Sequence, residues 1–129
     1  MSEAVACPCG SGGRYDACCG RAHAGTPAPT AEALMRSRYA AFALGLREYL
    51  LVSWHPSTRP ADLDLDGAPT WRRLQIVDTV AGGEDDTEGE VEFRASFRSR
   101  TGPGLLHERS RFVREDGRWL YLSGDDLGG

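Results

Sequence analysis

The chain has no lysine; all fifteen of its basic residues are arginine. We read this chiefly as the coding bias of a GC-rich genome, although arginine also suits bidentate ion pairs better than lysine. Positive charge is not in excess, since the formal net charge is −4, so nothing draws the whole molecule toward nucleic acid or anionic lipid. No apolar run approaches the ~20 residues of a membrane span. The N-terminus also lacks the charged and apolar regions of a signal peptide. The expected location is the cytoplasm, where disulfides are disfavoured and cysteines turn to metal or catalytic roles. The usual redox spacing Cys-x-x-Cys is absent too. There is no internal repeat, and no low-complexity tract beyond an acidic loop at 83–90.

What the chain does have is length enough for one core. Its 129 residues fit a domain of ordinary size with a small appendage, and such a chain folds without disulfides. Hydrophobic residues at 40% and charged residues at 26% match a soluble globular protein. Residues 1–25 hold every cysteine and are rich in glycine. Residues 26–29, Thr-Pro-Ala-Pro, read as a stiff linker, and residues 30–129 as an α+β body.

Thr30 followed by Glu32 has the pattern of a helix start. Met35, Tyr39, Phe42, Leu46, Tyr49 and Leu50 then recur at helical spacing. Gly45 is expected to split this run into helices at 30–44 and 46–53, with Pro56 closing the second. Residues 60–73 read as a short helix or turn carrying Trp71. From Leu74 the period becomes two. Strands are expected at Leu74–Val80, around Val91–Phe97, at Leu106–Val113 and at Trp119–Ser123. Turns are expected at Gly102-Pro103-Gly104 and Asp116-Gly117. Helices followed by a four-stranded antiparallel meander predict a sheet curled around the helices.

The cysteines stand as Cys7-Pro-Cys9, eight intervening residues, then Cys18-Cys19. Zinc seeks four soft ligands in a tetrahedron, with Zn–S near ~2.3 Å. Two pairs on two tight turns supply them if the segment between folds back. Gly10, Ser11, Gly12 and Gly13 permit that turn, and Pro8 stiffens the first pair. Tetrahedral thiolate sites take iron as well as zinc, and His23 is an alternative to Cys19 as fourth ligand. Two disulfides fit poorly, because the cysteines are near-adjacent.

The stretch Cys-Pro-Cys-Gly-Ser-Gly-Gly-Arg-Tyr-Asp-Ala-Cys-Cys-Gly at 7–20 resembles the SEC-C motif, the zinc-binding tail of the SecA translocation ATPase. That motif often ends in His; here Cys19 stands there, so the resemblance implies Cys7, Cys9, Cys18 and Cys19 as ligands. In SecA the element also implies contact with a partner chaperone. The remaining chain resembles the YchJ-like family of uncharacterised bacterial proteins. The matching stretches are Thr30-Ala-Glu-Ala-Leu-Met-Arg-Ser-Arg-Tyr39, Trp54-His-Pro-Ser57, His107-Glu-Arg-Ser-Arg-Phe112 and Gly117-Arg-Trp119. This resemblance implies a cone-shaped domain similar to nuclear transport factor two, and no activity.

Strand parity locates the polar chemistry. If Val91, Phe93, Ala95 and Phe97 face the helices, then so do Leu106, Glu108, Ser110, Phe112, Trp119 and Tyr121. Glu108 and Ser110 are then polar residues on an apolar face. A carboxylate there needs a partner, and Arg36, Arg38 and His55 are available. In one reading Glu108 makes a structural ion pair. In the other, Tyr39, Trp54, His55, Glu108 and Ser110 line an open pocket, with Glu108 and His55 as candidate catalytic groups. His107 is expected outside, and Arg94, Arg98, Arg109 and Arg111 share the outer face, salted by Glu90 and Glu92.

The leading expectation is a zinc-binding adaptor. Its knuckle meets a protein partner and its cone takes a peptide or small ligand. The alternative is a small enzyme working in the cone. Nucleic acid is disfavoured, because Arg14 and Arg21 are offset by Glu3 and Asp16 in the first 25 residues.

Overall fold

Thr30 begins the longest helix as its sequence predicts. Its hydroxyl accepts the Ala33 amide at 3.0 Å, and Glu32 in the first turn pairs with Arg36 one turn on, also at 3.0 Å. In this computed structural model, which describes residues 5–65 and 68–128, the helices are α1 (Cys19–His23), α2 (Ala31–Leu44) and α3 (Arg47–Val52). A 3-10 turn at Tyr15–Ala17 precedes α1. Gly45, in the left-handed conformation, separates α2 from α3 at the expected place. Residues 1–4 of the expected knuckle, 66–67 of the expected helix or turn, and Gly129 lie outside the described residues.

The four strands are β1 (Thr70–Ala81), β2 (Glu88–Ser99), β3 (Gly102–Glu115) and β4 (Arg118–Asp126). They form one antiparallel meander in chain order, as the period-two pattern predicts. Irregularities between Trp71 and Arg73, Ile76 and Asp78, and opposite Arg111 and Phe112 interrupt the ladders. Such bulges bend a strand and deepen its twist, which curls the sheet over α2. Val91, Phe93, Ala95, Phe112 and Trp119 turn inward and are at most 4% exposed. They form one core with Leu34, Met35, Tyr39 and Leu74, and this core also includes Cys7, Cys9 and Cys19.

Two expectations fail here. Residues 70–73 are strand, so Trp71 opens β1 rather than riding a helix or turn; it pairs with Phe97, the two ring centroids 5.4 Å apart. The bulge after Trp71 breaks the alternation by which the strand would have been read. The expected turn Gly102-Pro103-Gly104 is instead the start of β3, and Arg100 and Thr101 make the connection. Gly104 is there because the Phe97 ring lies directly over it, where a side chain would collide. The Asp116-Gly117 hairpin is as expected, both residues having positive φ (52° and 76°).

The two sheet edges differ. Along β4, the chain after α3 runs parallel: the His55 amide donates to Tyr121 O and the Tyr121 amide to Ser53 O, both at 2.8 Å. The outer edge of β1 meets no strand among the described residues.

Candidate metal centre and cone cavity

The knuckle is built from two turns. Gly10 and Gly12 take φ of 78° and 88°, letting the Cys7 amide reach Gly13 O at 3.0 Å and the Gly10 amide reach Cys7 O at 3.2 Å. The 3-10 turn then presents Cys18, and α1 begins with Cys19. The four sulfurs lie within 4.8 Å of one another, with Cys9 Sγ and Cys18 Sγ 3.6 Å apart. A tetrahedron with ~2.3 Å bonds to sulfur has edges of about 3.8 Å, so the donor set fits one thiolate-loving ion. All four cysteines are free thiols, not disulfides.

Electrostatics within the cluster lead the same way. Hydrogen bonding from Cys19 holds the Cys9 thiol down to about 4, while Cys19, which keeps that proton and is buried, is pushed up. Burial raises Cys7 as well. Sulfurs this close cannot all ionise unaided, and a cation at their centre removes the conflict. Cys18, the least buried of the four, has the Ser11 hydroxyl at 3.2 Å. His23 does not join them. Its Nδ1 meets the Tyr15 hydroxyl at 2.6 Å and its Nε2 meets Ser37 O at 2.8 Å, so both nitrogens are engaged. It docks the knuckle on α2, as does Arg36, whose Nη1 donates to Cys9 O at 3.1 Å.

The second site lies under the curled sheet. Tyr39, Trp54, Glu108 and Ser110, four of the five expected pocket residues, line a cavity of about 170 Å³ together with Arg38 and Tyr121. Arg38 is only 4% exposed. Its Nη1 donates to Leu50 O at 2.8 Å and Ser53 Oγ at 2.6 Å, and its guanidinium lies 4.9 Å from the Trp54 ring centre and 4.6 Å from that of Tyr121. Burial lowers its pKa to about 10, opposed by Tyr121, Tyr49 and Glu108, so it is charged at neutral pH. Glu108 Oε2 accepts from the Ser110 hydroxyl at 2.7 Å. Gly124 on β4 makes room for this carboxylate, because a side chain there would strike both Glu108 and the Tyr121 hydroxyl.

The fifth expected pocket residue is misplaced. His55 stands outside the cavity, its Nε2 on Glu115 at 2.7 Å and its Nδ1 on Ser57 Oγ at 2.7 Å. Its backbone is fixed to β4 immediately after Trp54, which sends the ring away from the one Trp54 presents. The acid–base pair of Glu108 and His55 is therefore not assembled, and neither Arg36 nor His55 is a partner for Glu108. On the outer face His107 Nε2 meets Glu92 at 2.8 Å, Arg109 bridges Asp78, Glu90 and Glu92, and Arg111 pairs with Asp125. Arg94 and Arg98 are exposed there. The sequence reading missed the cavity's apolar walls, Met35, Phe42 and Trp71. The helical spacing of Met35 and Phe42 was the available signal.

No helix among the described residues is long and apolar enough to cross a membrane. Residues 30–124 match the family model for the middle, NTF2-like domain of YchJ. A UPF0225 protein of Streptomyces coelicolor is 57% identical over 122 residues, covering 94% of this chain and 95% of that one. A UPF0225 protein of Chromobacterium violaceum is 56% identical over 125 residues, with 93% and 92% covered. Among solved structures, a SEC-C motif protein from Rhodopseudomonas palustris matches with a TM-score of 0.82 at 35% identity, covering 95% of this chain and 98% of its own. A SEC-C motif protein from Psychrobacter arcticus matches with a TM-score of 0.75 at 28% identity, covering 95% and 83%. With a cone of helices on a four-stranded sheet, and a four-cysteine cluster ahead of it, the chain belongs to the YchJ-like family, UPF0225.

Proposed function

We propose that this chain is a cytoplasmic binding module in which a structural zinc ion folds the knuckle and the cone holds a small ligand. The observation that carries the reading is the cavity, with a buried guanidinium and a carboxylate facing into an aromatic enclosure. Cys7, Cys9, Cys18 and Cys19 would hold the ion. Four thiolates close its coordination sphere, so the metal supplies structure and leaves no position for a reacting water. The knuckle is the surface offered to a protein partner. Beside it a groove of about 350 Å³ runs between Cys18, Arg21, the Thr26–Pro29 linker and Arg36.

A library of small fragments, screened by two-dimensional NMR on the metal-loaded protein, tests the cone. Hits should move the Trp54 and Trp71 indole resonances together. A library whose hits all fall elsewhere overturns the reading. Elemental analysis separates zinc from iron. Pull-downs with intact and metal-stripped protein test the adaptor role, and identical partners for both would sink it.

A further inference from the structure

The cone cavity holds one positive and one negative charge that make no ion pair with each other. Arg38 has five N–H donors, yet only Nη1 meets an acceptor among the described residues. The rings of Trp54 and Tyr121 cushion its guanidinium without supplying a counter-charge. Trp54 Nε1 nearby is likewise buried and without a partner among the described residues. Glu108, close to the Tyr121 hydroxyl, has only the Ser110 hydroxyl on Oε2, and Oε1 accepts nothing among the described residues. Tyr121 spans the two, its face under Arg38 and its hydroxyl beside the Gly124 site that Glu108 also crowds.

Buried polar groups are normally satisfied, and buried charges are normally paired. Here donors and acceptor capacity both remain beside Tyr121, in a half-open cavity. A purely anionic ligand would satisfy Arg38 but crowd Glu108, and a purely cationic one would do the reverse. In either case one of the two groups is left without a direct partner. A net-neutral molecule with one anionic and one cationic end satisfies both. The cavity also has walls of Met35, Phe42, Trp71 and Phe93, which call for an apolar body beside the charges. A volume of 170 Å³ is worth about five or six waters at ~30 Å³ each, which admits a small molecule.

We propose, building on the reading of the cone as a binding site, that the cavity takes a small zwitterion with an apolar body, the build of a free apolar α-amino acid. The carboxylate meets Arg38, and the ammonium meets Glu108. Calorimetric titration of the metal-loaded protein with L-valine, L-leucine and L-methionine tests this, beside N-acetyl-L-leucine, L-leucinamide and 3-methylbutan-1-ol. At least one free amino acid should bind, and blocking either end of leucine should weaken binding tenfold or more. Glu108→Gln should weaken the free amino acid at least tenfold while N-acetyl-leucine binds as well or better, with circular dichroism confirming the fold. The proposal is overturned if the blocked forms bind as well as the zwitterion. It is also overturned if only the alcohol binds and moves the Trp54 indole, a result that leaves the binding-site reading standing. Silence from every probe overturns the proposal as well, and the fragment screen then decides the broader reading by itself.

Discussion

In the first 25 residues the groups that turn inward are four sulfurs around one point; in the cone they are a guanidinium, a carboxylate and a hydroxyl around a space. The sulfurs are alike, and one ion could satisfy all four. The cone's groups are unlike, and each is partly served by its own neighbours: Arg38 by Leu50, Ser53 and two rings, Glu108 by Ser110. On the proposed reading, the contrast teaches that the knuckle depends on an ion for shape, whereas the cone keeps its shape through apolar packing and leaves its polar groups available.

The largest expected effect follows from that dependence. Chelation, or Cys9→Ser, should lower stability by about 3–5 kcal/mol, on the order of 10–20 °C in Tm by calorimetry. The cost should reach beyond the knuckle, because Cys9 and Cys19 belong to the common core. A melting curve unchanged by metal removal would break the comparison. Next, Phe112→Ala removes a ring that is 1% exposed and should cost about 3–5 kcal/mol. Metal content, measured by elemental analysis, should stay at one ion per chain. His23→Ala removes the hydrogen bonds to Tyr15 and Ser37 that dock the knuckle, at about 1–2 kcal/mol. Metal should be retained while amide exchange in 7–25 quickens.

The smallest effect lies on the outer sheet face. Hydrogen bonds from His107, then Arg109, hold the Glu92 carboxyl below its ordinary value of 4.5. Its folded pKa is thus below the unfolded one, so its stabilisation is present above about pH 4.5 and fades as pH falls through the folded value. Glu92→Gln should therefore melt slightly lower than the parent at pH 6, with the gap closing in acid. A gap that widened in acid would reverse the assignment.

Much of this was legible in sequence, and the failures have local causes. Period-two alternation placed Val91, Phe93, Ala95, Phe112 and Trp119 inside, because a strand buried on one face admits a single parity. The cysteine spacing located the thiolate cluster for a similar reason, since few arrangements of two turns bring four sulfurs together. β1 was read short because the bulge after Trp71 breaks the alternation at its start. Gly104 was read as turn because a glycine admitted for a neighbouring ring looks, in sequence, like one admitted for its φ. His55 was assigned inward because nothing in sequence shows that its own main chain is tied to β4. Arg38 was named only as a partner for Glu108. That it forms one end of a cavity depends on long-range packing against Trp54 and Tyr121, which a single sequence does not display.

The segment running beside β4 has a consequence for how copies of this molecule meet. A sheet with two open edges can add strands at both, so association through it propagates into a filament. Here residues 53–55 already occupy the last strand's main-chain groups around Tyr121, and Thr58 takes the carbonyl of Leu122 at 2.6 Å. Among the described residues, the long stretch of unpaired ladder is on β1. Any edge-to-edge joining through β1 consumes the open ladder of both participants, and growth halts at two.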